Sequence, residues 1–100
     1  MTRRDEVLEA LHAVVDPELG IDIVNLGLIY RLEIDEPSGR VTIVMTLTVP
    51  GCPMHNTITR DVTLAVRSLP WVTDVAVQLT FDPPWGPHRL SDLARTALAR

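Results

Sequence analysis

VTIVMTLTVPGCPMHNTITRDVTLAVRSL, residues 41–69, changes its hydrophobic period in the middle. Over 41–49, Val41, Ile43, Met45, Leu47 and Val49 alternate with Thr42, Thr46 and Thr48, the period of two that marks a half-buried strand. After Pro50-Gly51-Cys52-Pro53, Met54, Ile58, Val62, Ala65, Val66 and Leu69 fall on one side of a helix. Pro53 suits a first helical turn, where its missing N–H costs nothing. The Leu69-Pro70-Trp71 break ends that helix, and Val75, Val77, Leu79 and Phe81 alternate again as a third strand.

On the N-terminal side, Val24, Leu26, Leu28, Tyr30, Leu32 and Ile34 alternate with Asn25, Gly27, Arg31 and Glu33, which predicts a strand over 24–34. Residues 35–40, DEPSGR, read as a hairpin loop, so this strand and the one over 41–49 should pair antiparallel. Val7, Leu8, Leu11, Val14 and Val15 take helical spacing over 3–15, and the helix should stop near Asp16 because Pro17 disfavours helical geometry before it. DPELG, 16–20, reads as a turn. DPPWGPH, 82–88, is a proline-rich loop, and Ser91 is placed to cap a short last helix. The order helix, strand, strand, helix, strand, helix predicts an α/β fold of the α+β type, with helices on one face of a small mixed sheet in two layers.

One hundred residues, 46% of them hydrophobic, suit one domain over 1–100. Thirteen acids oppose nine bases, all arginine, and no basic cluster exists of the kind nucleic-acid binding requires. No apolar stretch approaches the roughly 18 residues of a membrane span. These features fit a cytoplasmic chain with neither nucleic-acid nor membrane partners. The one cysteine forbids an internal disulfide and, with three histidines, does not supply an ordinary structural zinc site.

Cys52 is therefore where chemistry is expected. If Pro53 is the first helical residue, Cys52 is the N-cap, where the positive end of the helix dipole favours thiolate over thiol. Cysteine is a poor cap beside Ser, Asp or Asn, so burial as a small apolar residue explains it less well. His55 completes C-x-x-H, a weak metal signal that a solvent-exposed histidine on the polar side of the helix explains better. Asp16 and Glu18 bracket Pro17 at a helix C-terminus, where negative charge opposes the dipole. An Asx turn and a ligand-binding role stand about even for Asp16. Thr46 and Thr48 face away from the apolar side of their strand, and Thr48 leads into the cysteine turn. Trp85, on a loop stiffened by prolines, either folds back over the core or anchors a partner.

Together DPELGIDIVNLGLIY (16–30), MTLTVPGCP (45–53), Leu69-Pro70, DPPW (82–85) and RLSDLAR (89–95) resemble the small iron-sulfur assembly domain of SufT and PaaD-type proteins, also found in a subunit of the cytosolic iron-sulfur targeting complex. The resemblance implies an α/β domain that matures iron-sulfur proteins and is not an enzyme. Its expected partners are assembly proteins and client apoproteins. It implies that Cys52 is the functional thiol, with Thr48 in the same motif and Asp16, Glu18 and Leu19 nearby. PaaD-type members carry a further cysteine-bearing C-terminal region and residues 1–100 do not, so the similarity is expected to be closer to SufT-like members. Trp71 stands where the family usually has glycine, which puts that turn in question.

One thiolate does not satisfy an iron-sulfur cluster, which takes about four protein ligands. A transient cluster on Cys52 would be bridged across a homodimer, or shared with a client or a small thiol. A metal-free adaptor linking the assembly machinery to clients is the first alternative. A thiol-dependent enzyme is the second, and it lacks an evident base.

Overall fold

The computed structural model describes residues 1–48 and 55–99, with His55 placed by its backbone. Among these residues the elements are α1 (Arg3–His12), β1 (Ile29–Asp35), β2 (Arg40–Met45), α2 (His55–Arg67), β3 (Asp74–Leu79), a 3-10 turn at Pro87–Arg89, and α3 (Asp92–Leu98). The sheet order is β1-β2-β3, with β1 antiparallel to β2 and β2 parallel to β3. A parallel pair needs a crossover, and α2 supplies it. The α+β fold and its mixed sheet are as the periodicities predicted.

Alternation on β2 buries Val41, Ile43 and Met45 in the core cluster to which α1 and α2 also contribute. Val7 and Leu11 of α1 and Ile58, Val62 and Val66 of α2 complete that layer, all essentially inaccessible. Burying each such side chain stabilises by about 1.5–3 kcal/mol. β2, central in the sheet, is thus the strand most tightly fixed, and it is the one that leads toward Cys52.

Three boundaries differ from those read in the sequence, for local reasons. α1 stops at His12 because Val14 and Val15 are taken up by a second pairing: Ile23 N–H donates to the Val14 carbonyl at 3.0 Å, and Val15 bridges Asp22. Val14 is buried, while Val15 is half exposed. β1 begins at Ile29, not Val24. Over 22–28 the chain coils, with Leu26 N–H donating to Asp22, Gly27 to Val24 and Leu28 to Ile23. Gly27 adopts φ +76°, a left-handed conformation that ends any strand geometry. Leu26 and Leu28 are buried, but from a coil. Finally, β2 ends at Met45, and Thr46, expected on the outer face, is fully buried.

The turn around Trp71 is intact. Val72 N–H donates to the Leu69 carbonyl and Thr73 N–H to that of Gly39, so a side chain at 71 is accommodated. The indole packs on the core, with the Arg3 guanidinium 4.8 Å from its ring centre. At α3, Ser91 Oγ accepts from Ala94 N–H as the N-cap, as its position in the sequence predicts.

Candidate functional site

The DPELG turn is organised by the carboxylate of Asp16, which is 4% exposed. Its Oδ1 accepts the backbone N–H groups of Glu18 at 2.8 Å and Leu19 at 3.3 Å. The Asp16 N–H and carbonyl are also engaged, with Ile21 O and Gly20 N respectively. Asp16 forms the Asx turn, the first of the two readings its sequence position allowed. The turn presents Glu18 outward, while Leu19 rests half buried against the core.

Residues 46–48 carry the chain from β2 toward Cys52, with Thr48 half buried. Cys52 itself lies outside the described residues, as do Val49, Pro50, Gly51, Pro53 and Met54. Among the described residues, the Asp16 turn and the exit of β2 are connected. From the Asp16 turn, hydrogen bonds run through the Val15–Asp22 bridge to the Ile23–Val14 bond, then from Leu28 N–H to the Ile23 carbonyl at 3.1 Å, then from Thr46 N–H to the Leu28 carbonyl at 2.9 Å. Leu28 is the shared member. Its N–H faces the Asp16 side and its carbonyl faces the β2 exit.

Around Leu28 lies a clamp that sequence reasoning missed. Trp85 Nε1–H donates to the Leu26 carbonyl at 2.7 Å, Arg89 Nε to the Gly27 carbonyl at 3.0 Å, and Tyr30 hydroxyl to the Pro83 carbonyl at 2.7 Å. The Arg89 guanidinium stacks 4.1 Å from the centre of the Tyr30 ring. Ser91 N–H donates to the Asn25 carbonyl, and Ser91 hydroxyl to Asn25 Oδ1 at 2.6 Å. Trp85 therefore folds back, half buried on the core, the first of its two expected fates.

The clamp reaches α1 through Asp22. Its Oδ1 accepts from the Asn25 side-chain amide at 2.6 Å, while its Oδ2 accepts the Asn25 N–H at 3.0 Å and lies 2.9 Å from His12 Nδ1. Partial burial pushes the Asp22 carboxyl up, but the two Asn25 bonds and the neighbouring His12 outweigh it and leave the acid below its ordinary range. His12 is about half exposed, with its ring against the Asp22 carboxylate. Among the described residues no group of three or more His, Cys, Asp or Glu side chains is placed to hold a metal ion.

A small α+β domain in which an Asx turn and the exit of the central strand are tied together at one residue is the class of protein defined here. The profile of the iron-sulfur cluster assembly protein family matches residues 4–79, and the chain belongs to that family. It is 45% identical over 95 residues to the Fe-S protein maturation auxiliary factor YitW of Bacillus subtilis, covering 95% of this chain and 92% of that one. It is likewise 45% identical over 85 residues to the Fe-S protein maturation auxiliary factor SufT of Staphylococcus aureus, covering 85% and 96%. The crystal structure of a domain of unknown function, DUF59, from Bacillus anthracis superposes with a TM-score of 0.92 at 41% identity, covering 97% of this chain and 92% of that one.

Proposed function

We propose that this protein assembles or delivers iron-sulfur clusters to client apoproteins, and that the thiol of Cys52 is the group through which it acts. The observation that supports the reading is the backbone path joining the Asp16 turn to Thr46 through Leu28, since it links the DPELG motif to the strand exit that precedes Cys52 in sequence. The maturation role of the relatives supports the assembly half of the reading. Thr48 leads into the thiol segment, and the outward Glu18 and half-buried Leu19 offer contact to whatever the thiol serves.

A cluster is cargo here, and ligand number limits how it is held. With about four protein ligands needed per cluster, Cys52 contributes one and the others come from a second copy or from the client. Each transfer then exchanges ligands at a shared cluster. The clients themselves are expected to be apoproteins whose own cysteines complete the set.

The test is anaerobic reconstitution of wild type and Cys52→Ser, followed by transfer to a client apoprotein and absorption spectroscopy. Wild type should accelerate transfer, and Cys52→Ser should lose at least tenfold in rate. If Cys52→Ser supports client maturation at the wild-type rate, the thiol reading is wrong and a metal-free adaptor takes its place.

A further inference from the structure

We propose that the open edge of β3 is a self-association surface, on which β3 of a second copy of this chain adds antiparallel about a two-fold axis; this stands apart from the function proposed above. Outer strands are where sheets join other chains, and folded proteins ordinarily blunt them with charges, prolines, bulges or covering groups. β1 is blunted in this way. It carries Arg31, Glu33 and Asp35, and its register breaks between Ile29 and Arg31. Its Leu32 carbonyl accepts from Arg4 Nη1 at 3.3 Å, and Arg3 takes the Glu36 carbonyl just past its end at 3.0 Å. From Val75 onward, β3 has none of these devices among the described residues. Residues 75–81, VAVQLTF, contain no charge and no proline, and the pairing with β2 runs without a break from Asp74 to Leu79.

Thr80 N–H donates to the Met45 carbonyl at 2.9 Å, and Thr46 N–H turns away from β3 to Leu28. With Met45 level with Leu79, this points the backbone groups of Ala76 and Gln78 at β2 and those of Val75, Val77 and Leu79 at the open edge. Val75, Val77 and Leu79 are only half buried, whereas Val41, Ile43 and Met45, their in-register partners on β2, are inaccessible. Beside Val77 a shallow groove runs along α2, lined by Asn56, Thr59, Arg60, Thr63 and Leu64, and Leu64 is 61% exposed. Unpaired backbone groups and bare apolar surface thus lie along the same edge.

The sequence of β3 suits its own copy. An antiparallel pair centred on Val77 sets Val77 opposite Val77, Val75 opposite Leu79 and Ala76 opposite Gln78 of the other copy. Val75, Val77 and Leu79 then all fall in hydrogen-bonded pairs, each exchanging both bonds. A shift by one residue would instead oppose outward backbone groups with inward ones. Asp74, the only charge of β3, faces Thr80 of the other copy in the centred register. Parallel pairing would seat it beside a second Asp74, and like charges directly opposite are unfavourable. Arg60, the one charge among the residues lining the groove, has its side chain 70% exposed and stays hydrated when the edges pair. One strand pair is a small interface, so the association is weak and concentration-dependent.

Analytical ultracentrifugation of the full chain from about 10 μM to about 1 mM reads the association in wild type and in two double variants. Ala76→Lys with Gln78→Lys sets lysine opposite lysine at both cross-strand positions of the centred register. Ala76→Glu with Gln78→Glu sets glutamate opposite glutamate. Gln78 is exposed and Ala76 half buried, and both alternate with Val77, so the changes fall on the other face of the sheet. The wild-type mass should rise from monomer toward dimer with concentration. Each double variant should associate about tenfold more weakly, and an equimolar mixture of the two should restore pairing. In wild type, amide hydrogen exchange at Val75, Val77 and Leu79 should slow about tenfold when pairing is near complete, while Ala76 and Gln78, which face β2, keep their rates.

A wild type that remains monomeric at about 1 mM overturns the inference and leaves the edge to an extended segment of another protein. Double variants that dimerise as wild type does, or a mixture that fails to restore pairing, overturn it equally, since the contact then lies elsewhere or in another register. If the double variants do not fold, exchange at Val75, Val77 and Leu79 in wild type decides the matter, and rates independent of concentration overturn it. None of these results bears on the transfer test of Cys52→Ser, so the two readings fail separately.

Discussion

Replacing Gly27 by alanine should destabilise the protein by about 3 kcal/mol, whereas Gly20→Ala should cost only about 1 kcal/mol, although both glycines are left-handed. Gly20 has φ +71° and open space where a Cβ would go, so its substitution carries backbone strain alone. Gly27, at φ +76°, carries the same strain, about 1 kcal/mol, and a collision besides. Its Cβ would lie 2.2 Å from the Arg89 carbonyl oxygen, and reaching ordinary contact at 3.4 Å requires a displacement of 3.4 − 2.2 = 1.2 Å. That shift would break the Arg89–Gly27 bond of 3.0 Å and the Ser91–Asn25 backbone bond of 2.9 Å. Each is worth about 1 kcal/mol net. Loss of unfolded-chain freedom on Gly→Ala is common to both variants and cancels in the comparison. The gap of about 2 kcal/mol corresponds to roughly 8–16 °C in Tm for a domain of this size. Urea unfolding followed by tryptophan fluorescence measures it, with slopes compared to confirm that compactness is unchanged. Equal losses, within about 0.5 kcal/mol, would refute the claim that Arg89 is pressed against Gly27.

Two further outcomes follow from the site itself. The folded Asp22 carboxyl is held below its ordinary range, so its contribution is complete above the unfolded carboxyl value and is lost as pH falls through the lower folded one. Wild type should therefore lose stability on acidification below about pH 4, and Asp22→Asn should show a flatter acid limb in denaturation curves from pH 6 to 2. A wild-type limb no steeper than that of Asp22→Asn would remove the assigned role. Asp16→Ala deprives the Glu18 and Leu19 amides of their acceptor and should cost about 1–2 kcal/mol in urea unfolding, while Asp16→Asn, which keeps Oδ1, should recover most of it. Matching losses in the two variants would mean that charge, not acceptance of these bonds, matters at Asp16.

Periodicity made the elements legible because each uses contacts between near neighbours in sequence. The 41–69 run revealed β2 and α2, DEPSGR gave the hairpin, and Ser91 gave the α3 cap, each through local rules. The reading failed at 24–28, where Leu26 and Leu28 continue the alternation of a strand while lying in a coil. Gly27 was the available signal, since an isolated glycine in a strand pattern marks a bulge or a close backbone approach, and here it marks the latter. The same lesson holds for Thr46, whose burial follows from β2 ending one residue earlier.

The site was legible in a different degree. The Asx turn of Asp16 was readable from turn chemistry, and the structure connects its segment to the exit of β2 through Leu28. The clamp contacts of Arg89, Tyr30, Asn25 and Ser91 were not readable, because three of the acceptors are backbone carbonyls and carbonyls have no sequence identity. Trp85 was noticed for its size and loop position, but its indole partner, the Leu26 carbonyl, could not be read in the same way.

The bonds of the clamp close loops of 53 to 66 residues, against the short DEPSGR turn that closes the β1–β2 hairpin. Longer loops cost more entropy to close, and contacts that depend on them form slowly. The β1–β2 hairpin needs no residue beyond Met45, whereas the clamp around Leu28 waits for residues 83–91. Local pairing can therefore precede closure of the clamp, so a chain can hold its hairpin while Leu26, Gly27 and Tyr30 are still without their partners from residues 83–91.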